Sequence, residues 1–313
     1  MTRPDVLMIG PYPHWDMESL EESYSLHKLW EATDKPAFVS VRSDKIRAIA
    51  TRGELGANGE LIGKLPKLEI ISCYGVGTDA IDLATAKSRG IRVTNTPDVL
   101  TEDVADIALG LLISVTRKIP QADAYVRDNS WHKANMPLVT RFHGKRLGII
   151  GMGRVGAAVA RRAVGFDMKI SYFDLRRRDD LNYAYENSIL ALAKNSDFLV
   201  ATVAGGSSTV RLIDAKVFEA LGPNGYFVNV ARGSVVDEPA MLDALMGNRI
   251  AGAGLDVFWN EPNIDVKFLN LLNVVLQPHH ASGTVETRKA MGQLVRDNLA
   301  AHFSGQKLLT QVV

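Results

Sequence analysis

Three residues able to do chemistry follow three strand-like runs in the C-terminal half of the chain. Arg232 follows Tyr226-Phe227-Val228-Asn229-Val230-Ala231, Glu261 lies just beyond Val257, and His279 follows Val274-Val275-Leu276-Gln277-Pro278. In open α/β sheets, ligands bind outside the carboxyl ends of the strands. A histidine there can donate a proton near neutral pH. A carboxylate beside it would orient the ring. An arginine can grip a carboxylate and polarise a carbonyl, because its planar fork is always charged. Spacing alone leaves alternatives open. A strand-end Arg or Glu is commonly half of a surface ion pair, and His280 is a second candidate base.

A glycine signature says what such a trio would work with. Leu147-Gly148-Ile149-Ile150 is a short apolar run of strand type, and Gly151, Gly153 and Gly156 then follow in G-x-G-x-x-G spacing. Ala157 to Phe166 reads as a helix, and Lys169-Ile170-Ser171-Tyr172-Phe173 is a second strand ending at Asp174. Strand, glycine turn, helix, strand and acid is the order of a dinucleotide-binding βαβ unit. The first glycine permits the tight turn, the second lets backbone approach a pyrophosphate, and the third lets helix pack on strand. The helix N-terminus offers free N–H groups and a positive dipole end to the phosphates. The cradle is therefore Gly151, Gly153, Arg154, Val155 and Gly156. A dinucleotide beside an Arg, a Glu and a His suits reduction of a 2-oxo acid, which needs a hydride at C2 and a proton on the carbonyl oxygen.

Bulk properties bound the rest. The 313 residues suffice for two domains, and 46% hydrophobic with 23% charged residues is a globular balance. A net charge of +1 gives no general drive toward nucleic acid or an anionic membrane. The single cysteine, Cys73, excludes an internal disulfide, fits a reducing cytoplasm and reads as a small buried hydrophobe. The N-terminus lacks the basic and apolar regions of a signal peptide. The longest strongly apolar stretch, Ile107 to Val115, falls short of the ~20 residues that span a bilayer.

Strand-like runs alternate with helical segments along the chain, which predicts α/β architecture with mostly parallel sheet. Strands are expected at Val6-Leu7-Met8-Ile9-Gly10, Ile46-Arg47-Ala48-Ile49-Ala50, Leu68-Glu69-Ile70-Ile71-Ser72 and Ile91-Arg92-Val93-Thr94. Further strands are expected at 198–203, 226–230, 252–257 and 274–276. Thr101-Glu102-Asp103 opens a long, nearly all-round apolar helix, the type that is buried and here expected to join two domains. The final helix, from about Val285 to Phe303, is placed to cross back to the first domain.

The chain resembles the D-isomer-specific 2-hydroxyacid dehydrogenase family, and within it the glyoxylate/hydroxypyruvate and hydroxyphenylpyruvate reductase branch. The matching stretches are YGVGTDAIDL (74–83), RVTNTPDVLTEDVADIALGLL (92–112), GKRLGIIGMGRVG (144–156), VNVARGSVVDE (228–238), AGAGLDVF with NEP (251–262) and PHHASGTVETR (278–288). The resemblance implies a Rossmann-type doubly wound cofactor domain over 99–283. It implies a smaller flavodoxin-like substrate domain built from 1–98 and 284–313. It assigns Arg232 to the substrate, Glu261 to orienting His279, and His279 rather than His280 to proton donation. The family more often carries an aliphatic residue at 280. Val76 and Gly77 would bind the substrate carboxylate through backbone N–H groups. Thr101 and Val104 would lie beside the nicotinamide, Ala231 would line the cofactor site, and Asp256 would hold the nicotinamide carboxamide. The region around Trp131, otherwise a packing anchor, and Met136 would reach across a two-fold interface, so a homodimer is implied.

The choice between NADP(H) and NAD(H) divides resemblance from physics. Asp174, 18 residues past Gly156, suits ribose hydroxyls and repels a 2′-phosphate. Arg176, Arg177 and Arg178 follow at once, and an arginine there pairs with that phosphate. The resembled reductases commonly use NADPH and carry Ser/Arg/Lys in this loop, where Asp here stands for the Ser. Resemblance therefore favours NADP(H). A competing functional class is a nucleotide-sensing dimeric protein of corepressor type on the same fold, but this chain shows no long tail or disordered arm, and it keeps the trio. Phosphoglycerate dehydrogenases often append regulatory domains with no room here, and the formate dehydrogenase branch lacks the Glu of the His–Glu pair.

Overall fold

The computed structural model describes residues 3–313. They form two compact units, Met1–Leu100 with Gly283–Val313, and Thr101–Ser282. The first unit begins β1 (Asp5–Met8), α1 (His14–Ser23), β2 (Ser25–Lys28), α2 (Lys35–Ser40), β3 (Ile46–Arg52), α3 (Gly59–Gly63), β4 (Ile70–Tyr74), α4 (Leu83–Ser88) and β5 (Arg92–Thr94). Its sheet runs β2-β1-β3-β4-β5 with every pairing parallel, the flavodoxin-like order.

A parallel sheet must be covered on both faces, and alternating side chains supply both. Leu7, Ile49 and Ile71 point into one apolar cluster; Val6, Met8, Ala48, Ala50 and Ile70 point into the other. The edge strand β2 gives no apolar signal in the sequence, because Ser25, His27 and Lys28 alternate with a single leucine. A bond of 2.7 Å from His27 Nε2 to Asp5 ties it to β1.

The second unit contains α5 (Thr101–Arg117), α6 (Ile119–Arg127), β6 (Arg146–Ile150), α7 (Arg154–Val164), β7 (Lys169–Phe173), β8 (Ala184–Tyr185), α8 (Ile189–Lys194), β9 (Phe198–Ala201), α9 (Ala215–Leu221), β10 (Tyr226–Asn229), α10 (Glu238–Met246), β11 (Gly252–Leu255) and β12 (Val274–Leu276). The last helix, α11 (Val285–Phe303), packs on β4 and α1, and its Met291, Val295 and Leu299 complete the second apolar cluster of the first unit.

The second unit's sheet is parallel throughout, in the order β12-β11-β10-β9-β6-β7-β8. Counted from β6 this is the Rossmann order with one strand added. The order reverses between β6 and β9, where such sheets open a crevice for a ligand. The apolar helix α5 opens this unit and packs on β10, β11, β12 and α7. It comes close because β11 carries glycines. A Cβ on Gly254 would lie 2.8 Å from Leu111 Cβ, and one on Gly252 would lie 2.9 Å from Val115 Cγ2.

Gly254→Val should therefore overpack the α5–β11 contact and destabilise the protein by about 1–3 kcal/mol. Urea unfolding would register a lower midpoint, whereas an unchanged one would mean that α5 shifts at no cost.

Candidate active site

The three chemical residues come together because β10, β11 and β12 are neighbours in register. Asn229 pairs with Leu255, and Leu255 with Leu276. The loops that follow these three strands leave the same edge of the sheet and carry Arg232, Glu261 and His279. His279 Nδ1 lies 2.6 Å from Glu261 Oε2. The second Glu261 oxygen accepts the Phe258 N–H at 2.8 Å. Burial pushes the Glu261 carboxyl up, but the His279 hydrogen bond, the His279 charge, the Phe258 N–H and the Arg232 charge hold it below its ordinary value. It is thus ionised near neutral pH and accepts, so Nδ1–H of His279 donates. That leaves Nε2 as the ring position for chemistry. The His279 side chain is 40% exposed, open enough for that nitrogen to be reached.

Arg232 follows β10 through a turn braced by Asn229. The Asn229 side chain donates to the Arg232 carbonyl at 2.9 Å and accepts the Ala231 N–H at 3.0 Å. Gly233 then passes so close to the next loop that a Cβ would lie 2.0 Å from the Phe258 carbonyl. Glu238 accepts the Trp259 N–H at 3.0 Å, and Trp259 Nε1 donates to the Val236 carbonyl at 2.6 Å. These contacts stitch the Arg232 loop to the Glu261 loop. The sequence reading missed Asn229, Glu238 and Phe258, and only the adjacency of β10 and β11 would have brought them forward.

Asp256, 1% exposed, accepts from His280 N at 2.8 Å through Oδ1 and from Ala281 N at 3.2 Å through Oδ2. His280 is exposed next to His279. Thr101 and Val104 stand in the first turn of α5. Val76 and Gly77 belong to the first unit, in the loop after β4. The Val76 carbonyl accepts from Asn95 Nδ2 at 2.8 Å, and the Gly77 carbonyl from Cys73 Sγ at 3.5 Å. Neither of their N–H groups has an acceptor among the described residues. Cys73 itself is buried, as the sequence suggested.

The glycine loop has the shape a dinucleotide needs. Gly151 takes φ +93°, and a Cβ on Gly156 would lie 2.1 Å from the Gly151 carbonyl oxygen. Gly153 caps α7 with no side-chain bond, and nothing stands within 4 Å of where its Cβ would be. A pyrophosphate fits such an open, N–H-rich helix start. Arg154 and Val155 form the first turn behind it. Asp174 is engaged with this loop: Oδ2 accepts Met152 N–H and Oδ1 accepts Leu175 N–H, both at 2.7 Å. Arg178 donates to the Met152 carbonyl at 3.0 Å and pairs with Asp180 at 2.6 Å. Arg177 pairs with Asp179 at 3.2 Å. Arg176 is exposed, with no hydrogen bond or ion pair among the described residues.

A doubly wound sheet with this cradle, and with an Arg, a Glu and a His on its carboxyl edge, defines a nicotinamide-dependent oxidoreductase. Residues 109–281 match the model for the D-isomer specific 2-hydroxyacid dehydrogenase, NAD binding domain. The chain belongs to the D-isomer specific 2-hydroxyacid dehydrogenase family. A hydroxyphenylpyruvate reductase of Plectranthus scutellarioides is 48% identical over 98% of both chains. Among solved structures, a 2-hydroxyacid dehydrogenase from Ketogulonicigenium vulgare Y25 superposes with TM-score 0.94 at 50% identity, covering 100% of this chain and 99% of that one. An NADPH-dependent glyoxylate/hydroxypyruvate reductase of Sinorhizobium meliloti, in complex with NADP and malonate, gives TM-score 0.94 at 42% identity over 100% and 97%. With reductases as relatives, the corepressor-like reading has no support.

A carboxyl held below its ordinary value stabilises the fold above that value, and the contribution is lost as pH falls through the lowered one. Glu261→Gln should thus lose stability relative to wild type at pH 7, and the gap should narrow as pH falls below the ordinary glutamate range. Urea midpoints at pH 7 and pH 3.5 would show this; an equal gap at both would mean that the Glu261 charge is not what matters.

Proposed function

We propose that the protein reduces small 2-oxo acids of the glyoxylate and hydroxypyruvate type to 2-hydroxy acids, with NADPH as the favoured reductant. The observation that carries this reading is the 2.6 Å His279–Glu261 bond on the sheet edge that also holds Arg232. The reductant, when bound, supplies the hydride to C2. Arg232 grips the substrate carboxylate and polarises its carbonyl. Val76 and Gly77 offer backbone N–H groups to a carboxylate. His279 delivers a proton from Nε2 to the carbonyl oxygen, while Nδ1–H stays on Glu261, which fixes the ring and stabilises its cationic form.

Gly151, Gly153, Arg154, Val155 and Gly156 cradle the pyrophosphate, with Thr101, Val104 and Ala231 toward the nicotinamide. NADP(H) is favoured because both Asp174 oxygens accept backbone N–H groups, while Arg176 stands exposed without an acidic partner. The NADPH-dependent Sinorhizobium meliloti neighbour supports the same choice. NAD(H) remains the second reductant. Exposed Val126, Trp131 and Leu138, at 57%, 65% and 101%, support a homodimer built through this region, since Trp131 does not anchor its own chain. No described helix is long and apolar enough to cross a membrane. A single cysteine, Cys73, fits a reducing cytoplasm.

Initial rates with NADPH and NADH, against glyoxylate, hydroxypyruvate and 4-hydroxyphenylpyruvate, test the proposal; no turnover with any pair would overturn it. His279→Asn should lower kcat by about 10²-fold or more with cofactor affinity retained. Arg232→Ala should chiefly raise the oxo-acid KM, and normal constants would exclude its role. Arg176→Ala should cut kcat/KM for NADPH by about tenfold and spare NADH, since a phosphate–arginine pair is charge-assisted. An equal loss with both cofactors would remove Arg176 from phosphate recognition.

A further inference from the structure

We infer that Asn95 is a positioning residue for the substrate carboxylate: its side-chain amide sets the Val76–Gly77 peptide so that the Gly77 N–H is presented to that carboxylate. The inference rests on the reading that Val76 and Gly77 bind the carboxylate through backbone N–H groups. In a trans peptide the C=O and the N–H point in opposite directions from one rigid plane. Whatever holds the carbonyl therefore aims the N–H. The two peptides that carry the Val76 and Gly77 N–H groups are both trans. The Gly75 carbonyl accepts Thr96 N–H at 2.9 Å, which sets the Val76 N–H. The Val76 carbonyl accepts from Asn95 Nδ2 at 2.8 Å, which sets the Gly77 N–H. Both holding groups lie on the segment that leaves β5, so both N–H groups turn away from that segment, and neither has an acceptor among the described residues. Consecutive backbone N–H groups turned to one side suit an anion.

The backbone of Asn95 is anchored independently of its side chain. Its N–H donates to the Thr310 carbonyl at 3.3 Å, and Thr310 Oγ1 donates to its carbonyl at 2.6 Å. Thr310 is held in turn by Asn298 of α11, which is fully buried. Asn298 Nδ2 donates to Thr310 Oγ1 at 2.8 Å, and Asn298 Oδ1 accepts the Leu309 and Thr310 N–H groups at 3.0 and 3.2 Å. Beyond them, Val312 N–H donates to the Val93 carbonyl of β5 at 2.7 Å. The C-terminal residues thus fix the main chain at Asn95, and only the side chain reaches across to the Val76 carbonyl.

Asn95→Ala removes the side-chain donor and leaves those backbone anchors in place. The KM for glyoxylate should rise about tenfold, the scale of one lost hydrogen bond to a charged group, while kcat and the Kd for NADPH stay within about twofold. An unchanged KM, or a fall in kcat with no rise in KM, would overturn the inference. Backbone amide NMR of the wild-type chain with NADPH, titrated with the unreduced 2-oxo acid mimic oxamate, needs no variant to fold. The Val76 and Gly77 amide resonances should both move. In Asn95→Ala the Gly77 response should be lost and the Val76 response kept. A Gly77 response that survives in Asn95→Ala, or a wild type in which Val76 responds and Gly77 does not, would overturn the inference alone. If neither amide responds in a wild type that turns over glyoxylate, the carboxylate assignment fails and the inference with it.

Discussion

The register of three adjacent parallel strands is the constraint on which the rest of the site depends. Asn229, Leu255 and Leu276 stand side by side, so the three loops that follow begin level with one another. Parallel pairing makes every carboxyl end of the sheet point the same way. Arg232, Glu261 and His279 are thus delivered to one edge without any of them contributing to the sheet. Shifting any of these strands by one residue would move its loop and also turn its buried side chains to the wrong face.

Around that edge, small backbone contacts do the fine placement. Gly233 lets the Arg232 loop run against the Phe258 carbonyl, and Glu238 and Trp259 fasten the two loops together. Each of the three residues is held from behind: Arg232 by Asn229, Glu261 by the Phe258 N–H, and the turn of His279 by Asp256. The glycine loop follows the same pattern. Met152 is held on its N–H side by Asp174 and on its carbonyl side by Arg178.

Much of this was legible in the sequence. Long apolar runs such as Ile70–Tyr74, and the glycine spacing from Gly151, carry strong local signals because buried parallel strands and tight turns admit few residue types. The trio was visible as residue types at strand ends. The edge strand β2 was not, since one of its sides borders no further strand and its residues other than Leu26 are polar. The supports were not legible either. Asn229 reads as an ordinary strand residue, and the engagement of Asp174 with Met152 joins positions 22 apart in sequence. Such contacts arise only once strand order is known, so pattern within a window does not reach them.

The loop after β7 keeps scaffolding and charge display on different residues. Asp174 and Arg178 grip Met152, while Arg176 stands outward and holds nothing in place. A lineage carrying this loop can exchange the displayed side chain in a single mutational step without loosening the cradle behind it. Innovation at the outward position is then nearly free of a folding penalty, and this short turn becomes a place where descendants of the enzyme can diverge while the sheet beneath them stays constant.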